Sequence, residues 1–258
     1  MEEKIKKVAV AAARAAGQFL ATEFKTFKRS DVKIKGYTQL VSYADKQAEK
    51  IIIDLIKKNF PDHHILSEEA GDNLKKSDYF WIIDPLDGTT NFSFHFPAFA
   101  VSIGLAYKGE IILGVVYLPL FKEMFVAQKG KGAYLNNKKI KVSKVGPDRA
   151  FHTFCHGGKK ADVQRAVDFY AYLKPRDYDI RQLGTASLEL AYVACGRTDS
   201  IFIPGAKPWD VAAGTLLVSE AGGLVTDTNK KSWDLKSKDM LATNRLVHDD
   251  VLRILKKC

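Results

Sequence analysis

At 258 residues the chain exceeds the usual single-domain size and is long enough to bury a large core. With 46% hydrophobic and 27% charged residues, 8 Pro and 18 Gly, it is too apolar for a disordered chain and too irregular for a collagen-like or linker-rich one. The 40 Lys and Arg against 30 Asp and Glu give a net charge of +10, but the base is mostly Lys scattered in ones and twos, which reads as a solubilising surface before a nucleic-acid interface.

Three cysteines, Cys155, Cys195 and Cys258, are odd in number and widely spaced, so neither a disulfide framework nor a Cys-based zinc site is expected and a reducing cytoplasm is the default. The opening Met-Glu-Glu-Lys carries acid where a secretory signal carries base. The longest apolar stretches, residues 96–107 and 111–121, fall short of a bilayer span and are split by Lys108-Gly109-Glu110, so no membrane crossing is predicted.

Apolar residues at helical spacing predict a long surface helix over residues 3–27. A second helix is predicted from Asp45, a good N-cap, to a stop at Asn59-Phe60-Pro61, with a turn-rich segment over 32–41 before it. The aromatic and β-branched run 79–83 predicts a buried strand that ends at Asp84-Pro85. Strands over 101–107, 111–117 and 124–128 follow, and Asn136-Asn137 marks a turn between strands at 133–135 and 140–142. Gly130-Lys131-Gly132 punctuates a hairpin; the Gly-Lys-Ser/Thr of a phosphate-cradling loop is absent. Beyond 142–148 strands alternate with helices predicted over 163–173, 186–195 and 211–221, so a seam there divides the chain into halves 1–146 and 147–258.

The chemistry concentrates in residues 81–92, Trp-Ile-Ile-Asp-Pro-Leu-Asp-Gly-Thr-Thr-Asn-Phe. Asp84 and Asp87 leave a strand with Pro85 fixing one φ angle, so that both carboxylates and the Leu86 carbonyl can converge as hard oxygen donors suited to Mg²⁺ or Mn²⁺. Gly88 permits close backbone approach to a ligand, and Thr89 and Thr90 supply amides and hydroxyls at a helix start. Each acid also has a plainer reading: Asp84 and Asp87 as turn caps, Glu68-Glu69 as surface acid in a first helical turn, Asp45 and Asp210 as N-caps.

Taken together, Leu66-Ser67-Glu68-Glu69, the 81–92 segment, Pro208-Trp209-Asp210-Val211-Ala212-Ala213-Gly214, Glu220-Ala221-Gly222-Gly223, Leu40 through Asp45 and Gly184-Thr185-Ala186 resemble the inositol monophosphatase family in order and spacing over nearly the whole chain. The resemblance implies a layered α/β/α/β/α sandwich and a lithium-sensitive, Mg²⁺-dependent phosphomonoesterase, a homodimer, with two or three Mg²⁺ per site and Mn²⁺ as a substitute. By the same analogy Glu68, Asp84 and the Leu86 carbonyl would hold one metal, and Asp84, Asp87 and Asp210 a second. Asp45 and Thr89, with Glu68, would activate water, the Gly88 and Thr89 amides would hold phosphate, and Gly184, Thr185, Ala186, Ile203 and Lys207 would face the substrate.

The implied substrate is a small phosphorylated polyol or sugar, inositol monophosphate first. Fructose 1,6-bisphosphate, histidinol phosphate and 3′-phosphoadenosine 5′-phosphate are alternatives, and an RNA-associated regulatory role is implied by bacterial members linked to ribosomal RNA synthesis. Ile203 departs from the inositol-selective pattern, where an acid contacts substrate hydroxyls. Lys207 is either a contact for a second phosphate or an exposed surface lysine. His152, Cys155 and His156 lack a fourth ligand for zinc, His63 and His64 mark a strand end, His95 is placed to line the pocket, and Phe92, Phe94, Phe96 and Phe99 are read as core.

Overall fold

The computed structural model describes residues 2–26 and 37–258. Helix α1 (Glu2–Thr26) buries one stripe, Ile5, Ala9, Ala12, Ala16 and Leu20, and packs beside α2 (Tyr37–Asn59) on a single face of a large sheet. Asp45 does not cap α2. The helix begins at Tyr37, because no Gly or Pro interrupts 37–45 and packing against α1 carries it through the cap signal. Residues 27 and 32–36, at the ends of the expected first helix and turn-rich segment, lie outside the described residues.

The large sheet holds β1 (His64–Ser67), β2 (Gly71–Asp72), β3 (Tyr79–Asp87), β4 (Ala100–Tyr107), β5 (Glu110–Leu118), β6 (Glu123–Gln128), β7 (Gly132–Leu135) and β8 (Lys138–Lys139), in the order β2-β1-β3-β4-β5-β6-β7-β8. Only the β1–β3 pair is parallel. The strand expected over 140–142 is not formed: after Ile140 the chain leaves the sheet, and the Val142 amide bonds to the Ala221 carbonyl.

After α3 (Thr89–Ser93), which lies between β3 and β4, a second sheet is built from β9 (Phe151–Phe154), β10 (Asp179–Arg181), β11 (Ser200–Pro204), β12 (Leu224–Thr226) and β13 (Asp239–Thr243), in the order β10-β9-β11-β13-β12. Helices α4 (Lys160–Leu173) and α7 (His248–Leu255) cover its outer face. Between the sheets run α5 (Ala186–Ala194) and α6 (Pro208–Glu220), which are buried almost all round, as their apolar sequence requires. The molecule is therefore a five-layered α/β/α/β/α sandwich. Strand β4 faces helices on both sides, and accordingly reads as a continuous apolar run without alternation.

The central layer depends on two glycines in the large sheet. A Cβ on Gly114 would lie 2.4 Å from the Ala213 carbonyl oxygen, and one on Gly104 would lie 3.1 Å from the Ala213 neighbour Ala212, so α6 can press directly on β4 and β5. That close approach brings the start of α6, with Asp210, to the end of β3. Gly114→Ala is expected to cost about 1–3 kcal/mol in urea unfolding, because the obstructing atom is backbone and cannot rotate away. An unchanged midpoint would show that α6 has room to move.

Candidate functional site

Residues three apart on a regular strand point to opposite faces, yet Asp84 and Asp87 share one. The register explains this: Asp84 pairs with Ser102 and Asp87 with Ala100, so Pro85 and Leu86 together oppose one residue of β4 in a bulge. Proline suits the bulge because it has no amide to donate. The strand thus runs through Asp87 and does not end at Pro85. Asp84 accepts the Leu86 amide at 3.0 Å, and the Leu86 carbonyl accepts the Thr89 hydroxyl at 3.0 Å. Gly88 then turns the chain with φ of +93°, where a Cβ would lie 2.4 Å from the Thr185 hydroxyl.

The other acids come from separate layers. Glu68 stands in the turn after β1, its amide bonded to the Ile83 carbonyl, so it belongs to a strand end and not to a first helical turn. Asp210 is the third residue of α6 and accepts the Lys207 amide at 3.3 Å; Lys207 takes the N-cap position that sequence offered to Asp210. Asp87 accepts the Ser187 amide at 2.6 Å and the Ser187 hydroxyl at 2.5 Å, at the start of α5. Glu68, Asp84, the Leu86 backbone, Asp87 and Asp210 all line one cleft of about 540 Å³, with Gly88, Thr89, Gly184, Ala186 and Ile203.

No Lys or Arg stands among the described residues of that wall, although the chain carries +10 overall. Burial, then the charges of Asp87, Glu68, Asp210 and Asp45, push the Asp84 carboxyl well above the carboxylate range. Asp210 is pushed up to about 8, by burial and then by Asp87 and Glu68. Glu68 is raised by burial and Asp87. Asp87 rises only to about 6, since burial is opposed by its bonds to Ser187. Asp45 is buried on α2 and reaches about 8 through burial and the charges of Glu69, Glu68 and Glu49. Among the described residues no three His, Cys, Asp or Glu are drawn into a ready-made ligand cage. The acids nonetheless fit a hard divalent cation: their donors are anionic oxygens, and no Lys or Arg lines the cleft beside them.

Several expected residues lie elsewhere. Asp45 does not line the cleft, and the Thr89 hydroxyl is engaged with Leu86. Thr185 is buried behind the wall, donating to the Ala98 carbonyl at 2.7 Å, and Lys207 is exposed and outside the lining. His95 stacks on Phe24 at 4.2 Å and is not part of the wall. Phe92 and Phe99 are core, whereas Phe94 and Phe96 are about half exposed, at 48% and 51%.

Sequence reasoning missed Cys155, His156, Gln182 and Leu183 as residues that also line the cleft. It also missed the residues that fix the walls. Asn91 donates to the Ala98 and Leu183 carbonyls at 2.8 and 2.7 Å, and Glu189, pushed up to about 7 by burial, accepts from the Leu183 and Gly184 amides and the Cys155 thiol. Asn91 stood inside the quoted motif; Glu189 carried no signal, because nothing in a helical Leu-Glu-Leu marks a buried acid. His152 is buried against Ser200 at 2.7 Å and its pKa is lowered to about 4 by burial, so it shares no site with His156.

The model of the inositol monophosphatase family matches residues 1–258. The chain belongs to the inositol monophosphatase family. Family members are phosphoric monoester hydrolases, and the chain is an enzyme of that class. A Thermotoga maritima protein named fructose-1,6-bisphosphatase/inositol-1-monophosphatase is 39% identical over 223 residues, covering 86% of this chain and 85% of that one. The Escherichia coli protein named Nus factor SuhB is 42% identical over 224 residues, covering 85% and 84%. The solved inositol monophosphatase of Anabaena superposes with a TM-score of 0.87 at 35% identity, covering 99% of this chain and 96% of that one.

In a member of this family with this acid cluster, folding without metal should weaken as the pH rises. Asp45 and Asp210 have folded pKa values near 8, above the unfolded carboxylate value, so their protonated forms favour the folded state and that stability is lost as pH climbs through 8. The buried His152 and His248, lowered to about 4, act oppositely but have finished titrating above about pH 7. In EDTA, Tm is therefore expected to fall by several degrees between about pH 7 and about pH 8.5, and Asp210→Asn should flatten that slope. A Tm that is constant or rising over this window in EDTA would contradict the assigned shifts.

Proposed function

We propose that this enzyme hydrolyses small phosphate monoesters of polyols and sugars, inositol monophosphate first and fructose 1,6-bisphosphate second, with Mg²⁺ as its metal and Mn²⁺ as a substitute. The observation that carries this reading is a cleft lined by four carboxylates without Lys or Arg among the described residues. A phosphate dianion would be repelled by that wall unless divalent cations came with it.

Glu68, Asp84 and the Leu86 carbonyl would hold one Mg²⁺, and Asp84, Asp87 and Asp210 another, with a third per site where substrate completes it. When bound, such ions neutralise phosphate charge and make a water acidic enough to attack in line. The amides of Gly88 and Thr89 would hold phosphate oxygens. Thr89, freed from the Leu86 carbonyl, would orient the water. Asp45 would take its proton, with Glu68 helping to hold the water in place.

Ile203, 1% exposed at the cleft wall, cannot accept hydrogen bonds from a ring polyol, and so favours a site tolerant of more than one sugar phosphate. The two-substrate name of the Thermotoga maritima relative supports the same breadth. Gly184 and Ala186 would shape the substrate's other face, with Lys207 reserved for a second phosphate if the start of α6 shifts. We further propose a cytoplasmic, lithium-sensitive homodimer, supported by the family resemblance and by three free thiols.

An RNA-associated role is a second reading, favoured by the +10 charge and by relatives named Nus factor SuhB. Both readings meet in one variant. Asp84→Asn is expected to lower Mg²⁺-dependent phosphate release from inositol 1-phosphate and fructose 1,6-bisphosphate by about a thousandfold or more while Tm is kept. Turnover within tenfold of the parent would reject the shared-ligand role of Asp84. Salt-sensitive RNA binding that survives in the same variant would support the second reading, and absence of binding at moderate ionic strength would remove it.

A further inference from the structure

A second cavity lies away from the acidic cleft. It measures about 590 Å³, within the range of small-molecule sites, and lies between α1 and the outer strands of the large sheet. Its origin is geometric. Helix α1 presses on β5, where a Cβ on Gly17 would come within 2.4 Å of the Tyr117 ring. Beyond that contact β6 and β7 continue past the helix. The two faces of β6 divide accordingly: Phe125 and Ala127 join the core under α6, whereas Met124 and Val126 face the α1 side. Against Met124, Val126 and Tyr134 the apolar side chains of the helix are Val10, Ala11 and Ala15, which are too short to fill the space, and Lys6, Lys7, Arg14 and Gln18 of the helix, with Gln128, Asn136 and Asn137, complete the lining.

The rim has one sign of charge. Lys6, Lys7, Arg14 and Lys131 line the cavity, and no Asp or Glu does. Lys6 and Lys131 are paired outside it, with Glu3 at 3.6 Å and Glu2 at 2.9 Å. Lys7 and Arg14 form no ion pair among the described residues. An apolar floor beneath unpaired cations is complementary to a ligand with an apolar body and an anionic head. A second copy of the chain related by a two-fold axis fits less well, since an isologous contact would set this basic rim against itself.

We propose that this cavity is a second binding site, separate from the phosphatase cleft, for a small amphipathic organic anion whose body rests on Met124, Val126 and Tyr134 and whose carboxylate or phosphate head is held by Lys7 and Arg14. The site lies on the opposite face of the large sheet from α5 and α6, and shares no lining residue with the catalytic cleft.

The full chain is titrated with the fluorescent probe 8-anilinonaphthalene-1-sulfonate, and the bound probe is then competed with octanoate, octyl phosphate, octanol and inorganic phosphate. Saturable one-site binding is expected, displaced at least tenfold better by octanoate or octyl phosphate than by octanol or inorganic phosphate. Preference between the two anions separates a carboxylate from a phosphate ligand. Ala11→Trp, which fills the cavity from an exposed helix position, should weaken the probe at least tenfold with phosphatase activity unchanged, and so should Lys7→Glu with Arg14→Glu, which leave the packing intact.

Asp84→Asn should bind the probe as the parent does. Probe binding insensitive to Ala11→Trp and to the charge reversals, equal competition by octanol, or loss of binding in Asp84→Asn would each overturn the proposal. So would a change of oligomeric state in sedimentation caused by Ala11→Trp, which would make the face a contact between copies.

Discussion

Mutual repulsion among carboxylates is the constraint on which the site is built. Five acids, Asp45, Glu68, Asp84, Asp87 and Asp210, act on one another in a partly buried space, and burial alone already disfavours their charged forms. A fold can hold such a group only if the cost is offset elsewhere and the side chains are denied easy escape. Ser187 fixes Asp87, the Lys207 amide fixes Asp210, and Glu49 fixes the turn after Glu68 by accepting the Ala70 amide at 2.9 Å. The protein invests structure in keeping these oxygens near one another, which is unfavourable for stability and is what the proposed cation site would require.

Layering delivers the acids. Asp84 and Asp87 come from the middle of the large sheet, Glu68 from the parallel strand beside it, and Asp210 from a helix wedged between the two sheets. The meeting point exists because α6 touches β4 and β5 through Gly104 and Gly114, and because α5 starts where Asp87 can accept its amide. The central helices therefore serve packing and site geometry at once. Loosening of the Gly114 contact would shift Asp210 relative to Asp84 even though neither residue touches the glycine.

Much of this was legible in the sequence, for identifiable reasons. The apolar periodicity of α1 and the β-branched runs of β4 and β5 carry their own signal, since burial on one or both faces is written into composition. The acids were found because their motifs are dense and their order distinctive. What stayed hidden depends on contacts distant in sequence. Asp45 looked like a cap because a cap is a local pattern, while the helix that runs past it is stabilised by α1. The bulge at Pro85 and Leu86 required the β4 register to be seen. Thr185 belonged to a recognisable segment, but its hydroxyl turns into the wall to meet Ala98, a choice that no spacing reveals.

Charge is distributed unevenly. A chain of net +10 lines one cleft with four acids and, among the described residues, with no Lys or Arg. On the proposed function, the net positive charge would draw anionic substrates toward the molecule at a distance, and the acidic wall would repel them at contact unless cations came with them. Selectivity for a metal-accompanied phosphate would then follow from that difference of sign, before any contact with the organic part of the substrate. Ile203 at the cleft wall offers the organic part of the proposed substrate no hydrogen-bond acceptor, so charge would supply more of the recognition than shape does.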